Sequence, residues 1–133
     1  MTFPTHDMAL TTILVVGDLD RSVTWYRDVL GATLHRTYGG TSAVFDLAGS
    51  WLLLVTGGDP TPDKPDVRFA PPASPDTVAH AFTIRVPDAI AASEVLSARG
   101  AEFLTPPMER GAETRGFFRD PDGHLFEISS IAR

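Results

Sequence analysis

Two stretches of this chain follow one pattern, and any fold must accommodate both. The first opens with the apolar run Ile13 to Val16 and passes through Gly17 and Asp18. It then enters a helical pattern in which Leu19, Val23, Tyr26 and Leu30 recur at helical spacing, before Gly31 stops it. The second alternates Phe82, Ile84 and Val86, passes through Pro87 and Asp88, and enters an Ala-rich helix through Val95 and Leu96 that Gly100 stops. Three strand-like segments follow each helix: Ala32 to Tyr38, Ala43 to Leu47 and Trp51 to Val55 in the first copy, and Glu102 to Pro106, Arg115 to Arg119 and Leu125 to Ser129 in the second. Turns fall at Gly39-Gly40, at Ala48-Gly49 and at Asp120-Pro121-Asp122-Gly123, where Pro fixes one φ and Gly permits a positive one. Each half therefore reads βαβββ, the first over residues 9–56 and the second over 78–133, in a single α+β domain. The linker between them, residues 57–77, is dense in Pro, Gly and Asp, which fix turns and deny a strand its ladder donors. A βαβββ half bends four strands around one side of a ligand-sized hollow and lays its helix on the other, so two halves complete a cup.

The whole chain limits what such a cup serves. At 133 residues it buries a modest core without disulfides or a structural metal. Hydrophobic residues make up 43% and charged ones 21%, a globular balance, and no apolar run approaches the roughly 20 residues that span a bilayer. Met1 to Met8 lacks the basic region and apolar core of a secretory signal, so a cytoplasmic, soluble protein is expected. There are no cysteines, which removes thiolate chemistry. A net charge of −6 without a cluster of Lys and Arg argues against a nucleic-acid partner, whose phosphates basic side chains would have to neutralise.

Three segments carry a family resemblance. VVGDLDRSVTWYRDVLGATL, Val15 to Leu34, is similar to the opening strand and helix of the vicinal oxygen chelate superfamily of glyoxalases, bleomycin-resistance proteins and extradiol dioxygenases. FFRDPDGHLFEIS, Phe117 to Ser129, resembles that family's closing hairpin, and VPD at Val86 to Asp88 with RGAEF at Arg99 to Phe103 extends the likeness over nearly the whole chain. The resemblance implies a cup-shaped half-open barrel and a homodimer in which two chains share two sites around a small-molecule ligand. It implies much less about chemistry, because the family includes lyases, epimerases, dioxygenases, thiol transferases and non-catalytic drug binders.

The family's enzymes place a divalent metal at the bottom of the cup, held by His, Gln or Glu from the first and fourth strands of each half. Fe, Mn, Ni and Zn are the ions this resemblance implies. Carried onto this sequence, the last slot falls on Glu127 of GHLFE. The first-strand slot falls on Thr11, a poor divalent ligand. The fourth-strand slot falls on Leu54, or on Leu53 if the turn differs by one, and neither binds a metal. The fifth-strand slot falls on Ala81, one position after His80. A one-residue offset turns a strand side chain to the opposite face unless a bulge restores it. The candidate metal ligands are thus Glu127 and His80, with Thr11, Leu54 and Ala81 departing from the pattern.

Other residues point to an organic ligand. Arg115 begins a strand near the expected mouth, where its planar fork suits a carboxylate or phenolate; a rim pairing with Glu109 or Glu113 is the plain alternative. Arg85 alternates with Ile84 and Val86 toward the cup and is a candidate partner for Glu127, as a buried ion pair in place of a metal. Trp51, Tyr38, Phe45 and Phe118 lie on cup-forming strands and as a set suggest an apolar pocket, although core packing accounts for any one of them. His124 is expected to be exposed, and His6 and His35 carry no motif.

Two readings stay open. In one, the cup binds a small aromatic or apolar molecule by sequestration or by metal-free chemistry with Glu127 as base. In the other, a divalent metal on Glu127 and His80 supports lyase, isomerase or dioxygenase chemistry. The departures from the ligand pattern favour the first. The classical glyoxalase I reaction, whose metal takes side chains from all four strands, is not expected.

Overall fold

Each helix starts at an aspartate. Asp18 and Asp88 sit in extended backbone, and their carboxylates accept from the amides of Arg21 and Ala91, at 3.1 Å in both cases. These bonds satisfy amides that the first helical turn leaves unpaired, and so set the starts of α1 (Leu19–Asp28) and α2 (Ala89–Ala98). Beyond the helices, Gly31 and Gly100 take φ of 83° and 111°, a left-handed region that stops a helix and suits glycine.

The computed structural model describes residues 2–131 and gives the two halves one topology. The first half comprises β1 (Thr11–Val16), α1, β2 (Thr33–Tyr38), β3 (Ser42–Leu47) and β4 (Ser50–Thr56). The second comprises β5 (Phe82–Arg85), α2, β6 (Met108–Arg110), β7 (Glu113–Arg119) and β8 (Leu125–Ile131). The sheets run β1-β4-β3-β2 and β5-β8-β7-β6. In each, the first and last strands are parallel neighbours, Thr11 beside Trp51 and Thr83 beside Glu127, and the other pairs are antiparallel. The expected pair of βαβββ units in an open, cup-shaped α+β architecture is what the chain forms.

One strand lies elsewhere than its sequence suggests. A strand is expected at Glu102 to Pro106, but the regular strand is Met108–Arg110. Pro106 and Pro107 have no amide hydrogen to give a ladder. Before them the segment still touches β7, through a bridge between Phe103 and Phe118 and a 2.8 Å bond from the Leu104 amide to the Phe117 carbonyl.

Alternation along the strands divides buried from open surface. Leu14, Val16, Ala43, Phe45, Leu52 and Leu54 face inward in the first half, and Phe118, Phe126 and Ile128 in the second, forming one core. Helix α1 links the halves: the Tyr26 ring lies 5.9 Å from Phe45 and 6.1 Å from Phe126, and Trp25 lies 6.2 Å from Phe118. Each such large side chain contributes roughly 1.5–3 kcal/mol through its burial.

Polar bonds fix the junction. Tyr26 donates to Asp120 at 2.7 Å, Asp122 accepts from the Gly17 amide at 2.9 Å and from Arg21 at 3.1 Å, and His124 Nε2 meets the Val15 carbonyl at 2.8 Å. The β7–β8 turn is therefore the second half's grip on the first. His124, expected to be exposed, is half-buried because it belongs to this grip. No helix among the described residues is long and apolar enough to cross a membrane.

Candidate functional site

The faces turned away from the core are the candidate cup surfaces, and the two halves differ in chemistry. On the first half, Thr11, Trp51, Leu53 and Val44 share a face by register, with Tyr38 and His35 at its edge, around an open apolar hollow. Ile13 and Tyr38 are 47% and 49% exposed, so this face is uncovered within one chain. His35 falls where the β2–β3 register shifts, and its ring stands edge-on to Trp51, 5.3 Å between centroids.

The second half presents charge. Thr83 and Arg85 on β5, Glu127 and Ser129 on β8, and Glu113 and Arg115 on β7 share one face by register. Thr83 donates to Glu127 at 2.8 Å, and Glu127, only 8% exposed, has the Arg115 guanidinium 3.9 Å from its other oxygen. The fully buried Ser129 hydroxyl donates to Glu113 at 2.7 Å and accepts from Arg85 at 2.8 Å. Arg85 also reaches Glu113, at 3.0 Å. The hydrogen bond from Ser129, then that from Arg85, hold the Glu113 carboxyl below the usual carboxylate range. At 3.8 and 3.9 Å from its two carboxylate neighbours, Arg115 is within ionic reach of both but bonded to neither, which leaves its donors open to a ligand.

The structure thus joins some expected site residues and separates others. Arg85, Arg115 and Glu127 share the charged face, although Glu127 is partnered by Arg115 and Arg85 by Glu113. Trp51 and Tyr38 share the apolar face. Phe45 and Phe118, expected on the cup wall, lie in the core at 0% exposure, because each alternates with a cup-facing neighbour, Val44 and Phe117. Leu54 is likewise fully buried, and the fourth-strand position that faces the cup is Leu53. His80 precedes β5 and stands 6.0 Å from the ring of Phe82, a residue on the face opposite Thr83 and Glu127. Ala81 shares the parity of Thr83. Thr83 and Ser129 were not singled out from sequence, although both lie an even number of positions from a suspected cup residue, Ser129 from Glu127 and Thr83 from Arg85.

These donors do not fit a metal held by side chains of one chain. The family slots hold one carboxylate, Glu127, already engaged by Thr83 and Arg115, while Thr11, Leu53 and Ala81 offer no strong ligand. Among the described residues, no group of three or more His, Asp or Glu stands together as an ion would need.

Comparisons with known proteins agree on the fold and differ in chemistry. The sequence profile described as Glyoxalase/Bleomycin resistance protein/Dioxygenase superfamily matches residues 8–128. The chain is 31% identical over 116 residues to glutathione transferase FosA of Serratia marcescens, covering 86% of this chain and 74% of that protein. It is 30% identical over 126 residues to lactoylglutathione lyase of Haemophilus influenzae, covering 90% and 89%. A crystal structure of a glyoxalase/bleomycin resistance protein/dioxygenase from Nocardioides superimposes with a TM-score of 0.72 at 25% identity, covering 98% of this chain and 87% of that one.

Proposed function

Because this chain belongs to the Glyoxalase/Bleomycin resistance protein/Dioxygenase superfamily, whose members share a cup rather than a chemistry, we propose that it binds a small, flat, largely apolar organic molecule there, by sequestration or metal-free chemistry. The observation that carries this reading is the composition of the two faces. One is apolar and aromatic, with Trp51, Tyr38 and Leu53; the other holds Arg115 with unfilled donors beside the nearly buried Glu127. A ring stacks on the first, and an acidic or carbonyl oxygen of the same molecule reaches Arg115. Glu127, held by Thr83, is the group placed to accept a proton from the ligand.

Each face alone is a half-cup. A second copy of the chain that lays its charged face over the apolar face of the first completes two equal sites, in keeping with the exposure of Ile13 and Tyr38.

A second reading rests on the relatives at 30–31% identity, named as a glutathione transferase and a lactoylglutathione lyase. There a divalent ion bound by Glu127 and His80, with further ligands from outside this chain, supports turnover.

Metal content by mass spectrometry, on protein purified without a metal-affinity tag, separates the two. The expected result is no stoichiometric Fe, Mn, Ni or Zn, together with saturable quenching of Trp51 by flat aromatic acids that Arg115→Ala weakens. Stoichiometric metal that is lost in both Glu127→Ala and His80→Ala would overturn the metal-free reading.

A further inference from the structure

The Pro-rich segment between the halves borders a hollow that meets the apolar face at Ile13 and Val15 but includes neither Trp51 and Tyr38 nor any residue of the charged face. Its first part closes on itself. Gly58 and Phe69 exchange backbone bonds at 2.9 and 3.0 Å, and the Lys64 ammonium inside the loop donates to the carbonyls of Asp59 and Val67, both at 3.2 Å. Its second part, residues 70–80, runs as a strap across the ends of β1 and β8. Beneath it lies a cavity of about 460 Å³, within the usual size range of small-molecule pockets. Pro72 and Val78 of the strap, Ile13 and Val15 of β1, and Phe82 and Leu125 of the second half supply its apolar walls.

Its polar groups are few and specific. No Lys, Arg, Asp or Glu lines it, so an ionic ligand would lose its hydration with no opposite charge in return. Two imidazoles line it, His80 and His124, with the hydroxyl residues Ser74 and Thr77 of the strap. His124 Nε2 lies 2.8 Å from the Val15 carbonyl, which accepts only, so in the neutral ring that nitrogen carries the proton and Nδ1 is left as an acceptor. The cavity therefore favours a neutral, ring-bearing molecule with a hydroxyl or N–H to donate.

We propose that this hollow is a second small-molecule site, adjoining the apolar face but distinct from the hollow at Trp51 and Tyr38, for a neutral, flat, apolar compound carrying one hydrogen-bond donor. None of Tyr38, Trp51, Arg85, Arg115 or Glu127 lines it, so its ligand meets none of the side chains that the cup reading assigns to a ligand, although the two hollows adjoin at Ile13. A ligand there touches the strap and both halves at once, and its binding braces the seam that His124 spans.

The test is a methyl and amide NMR titration of the whole chain with 2-naphthol. Expected are saturable shifts of the Val15, Val78 and Leu125 methyls. These are lost in Ala79→Trp, which fills the hollow from an exposed strap position, and in Val78→Asp, which places a charge in its wall. They persist in Arg115→Ala. Shifts confined to Val44 and Leu53 on the cup face, shifts that survive in both strap variants with the rest of the spectrum unchanged, or no saturable shift at all would overturn the assignment.

Discussion

The Tyr26 hydroxyl donates to the Asp120 carboxylate at 2.7 Å with both residues buried, tying helix α1 of the first half to the β7–β8 turn of the second. Burial, reinforced by the Asp120 charge, pushes the Tyr26 phenol well above its ordinary range, so it is the donor at any physiological pH. Tyr26→Phe keeps the ring contacts with Phe45 and Phe126 but removes a donor from a buried carboxylate. The expected cost is about 1–3 kcal/mol in a urea unfolding experiment. An unchanged midpoint would mean that apolar packing alone holds the seam.

Asp120 also gives the seam a pH dependence of defined sign. Burial raises its carboxyl above the ordinary value, against the opposing influence of the Tyr26 bond and of His124. The folded protein then binds a proton more readily than the unfolded chain does, so stability attributable to this group rises as pH falls through the folded value and levels off below the unfolded one, near about 4. Asp120→Asn can still bond Tyr26 with donor and acceptor exchanged, and it cannot titrate. Its unfolding free energy, measured between pH 7 and 4 beside the wild type, should lack that rise; parallel curves would show that folding leaves the Asp120 carboxyl unshifted.

Glu113 has the opposite sign. Its carboxyl is depressed first by the Ser129 hydroxyl and then by Arg85, so the stability linked to it is present above the unfolded value and is lost as pH falls through the folded one. Ser129→Ala removes the larger of the two influences. Carboxyl carbon NMR should find Glu113 titrating below the ordinary glutamate range in the wild type and moving up toward it in the variant. No movement would place Ser129 outside the network that orders the charged face.

What the sequence could reveal followed from local signals. The Asp caps, the stops at Gly31 and Gly100, and the strand-like runs are all read within a few residues, and they were enough to place both βαβββ halves. Face assignment needed more, because alternation is read only once register is known: aligning LLLV with LFEI points to Leu54, and only pairing with Ile13 shows that Leu53 is the one turned outward. The same holds for Phe45 and Phe118, whose aromatic character suits a ligand wall as well as a core. The grip of the β7–β8 turn lay beyond reach, since Tyr26 and Asp120, or Val15 and His124, are about a hundred positions apart and carry no pattern that relates them.

Gly57 offers a way to test whether the loop closed by Gly58 and Phe69, which leads into the strap, depends on a close backbone approach. A Cβ on Gly57 would stand 2.7 Å from the Phe69 carbonyl oxygen and 3.5 Å from a Val15 methyl. The first obstacle is backbone, which cannot swing aside as a side chain does, so Gly57→Ala must push Phe69 outward and stretch the bridge between Phe69 and Gly58. Overpacking of this kind costs about 1–3 kcal/mol, and if it falls on this loop alone it reads as a loss of amide protection of roughly tenfold or more. Hydrogen exchange should therefore quicken at the Gly58 and Phe69 amides while those of β4 and β8 keep their wild-type rates. If the whole chain exchanges faster, the loop is part of the cooperative fold rather than a separately opening unit; if nothing changes, the approach at Gly57 is looser than its geometry implies.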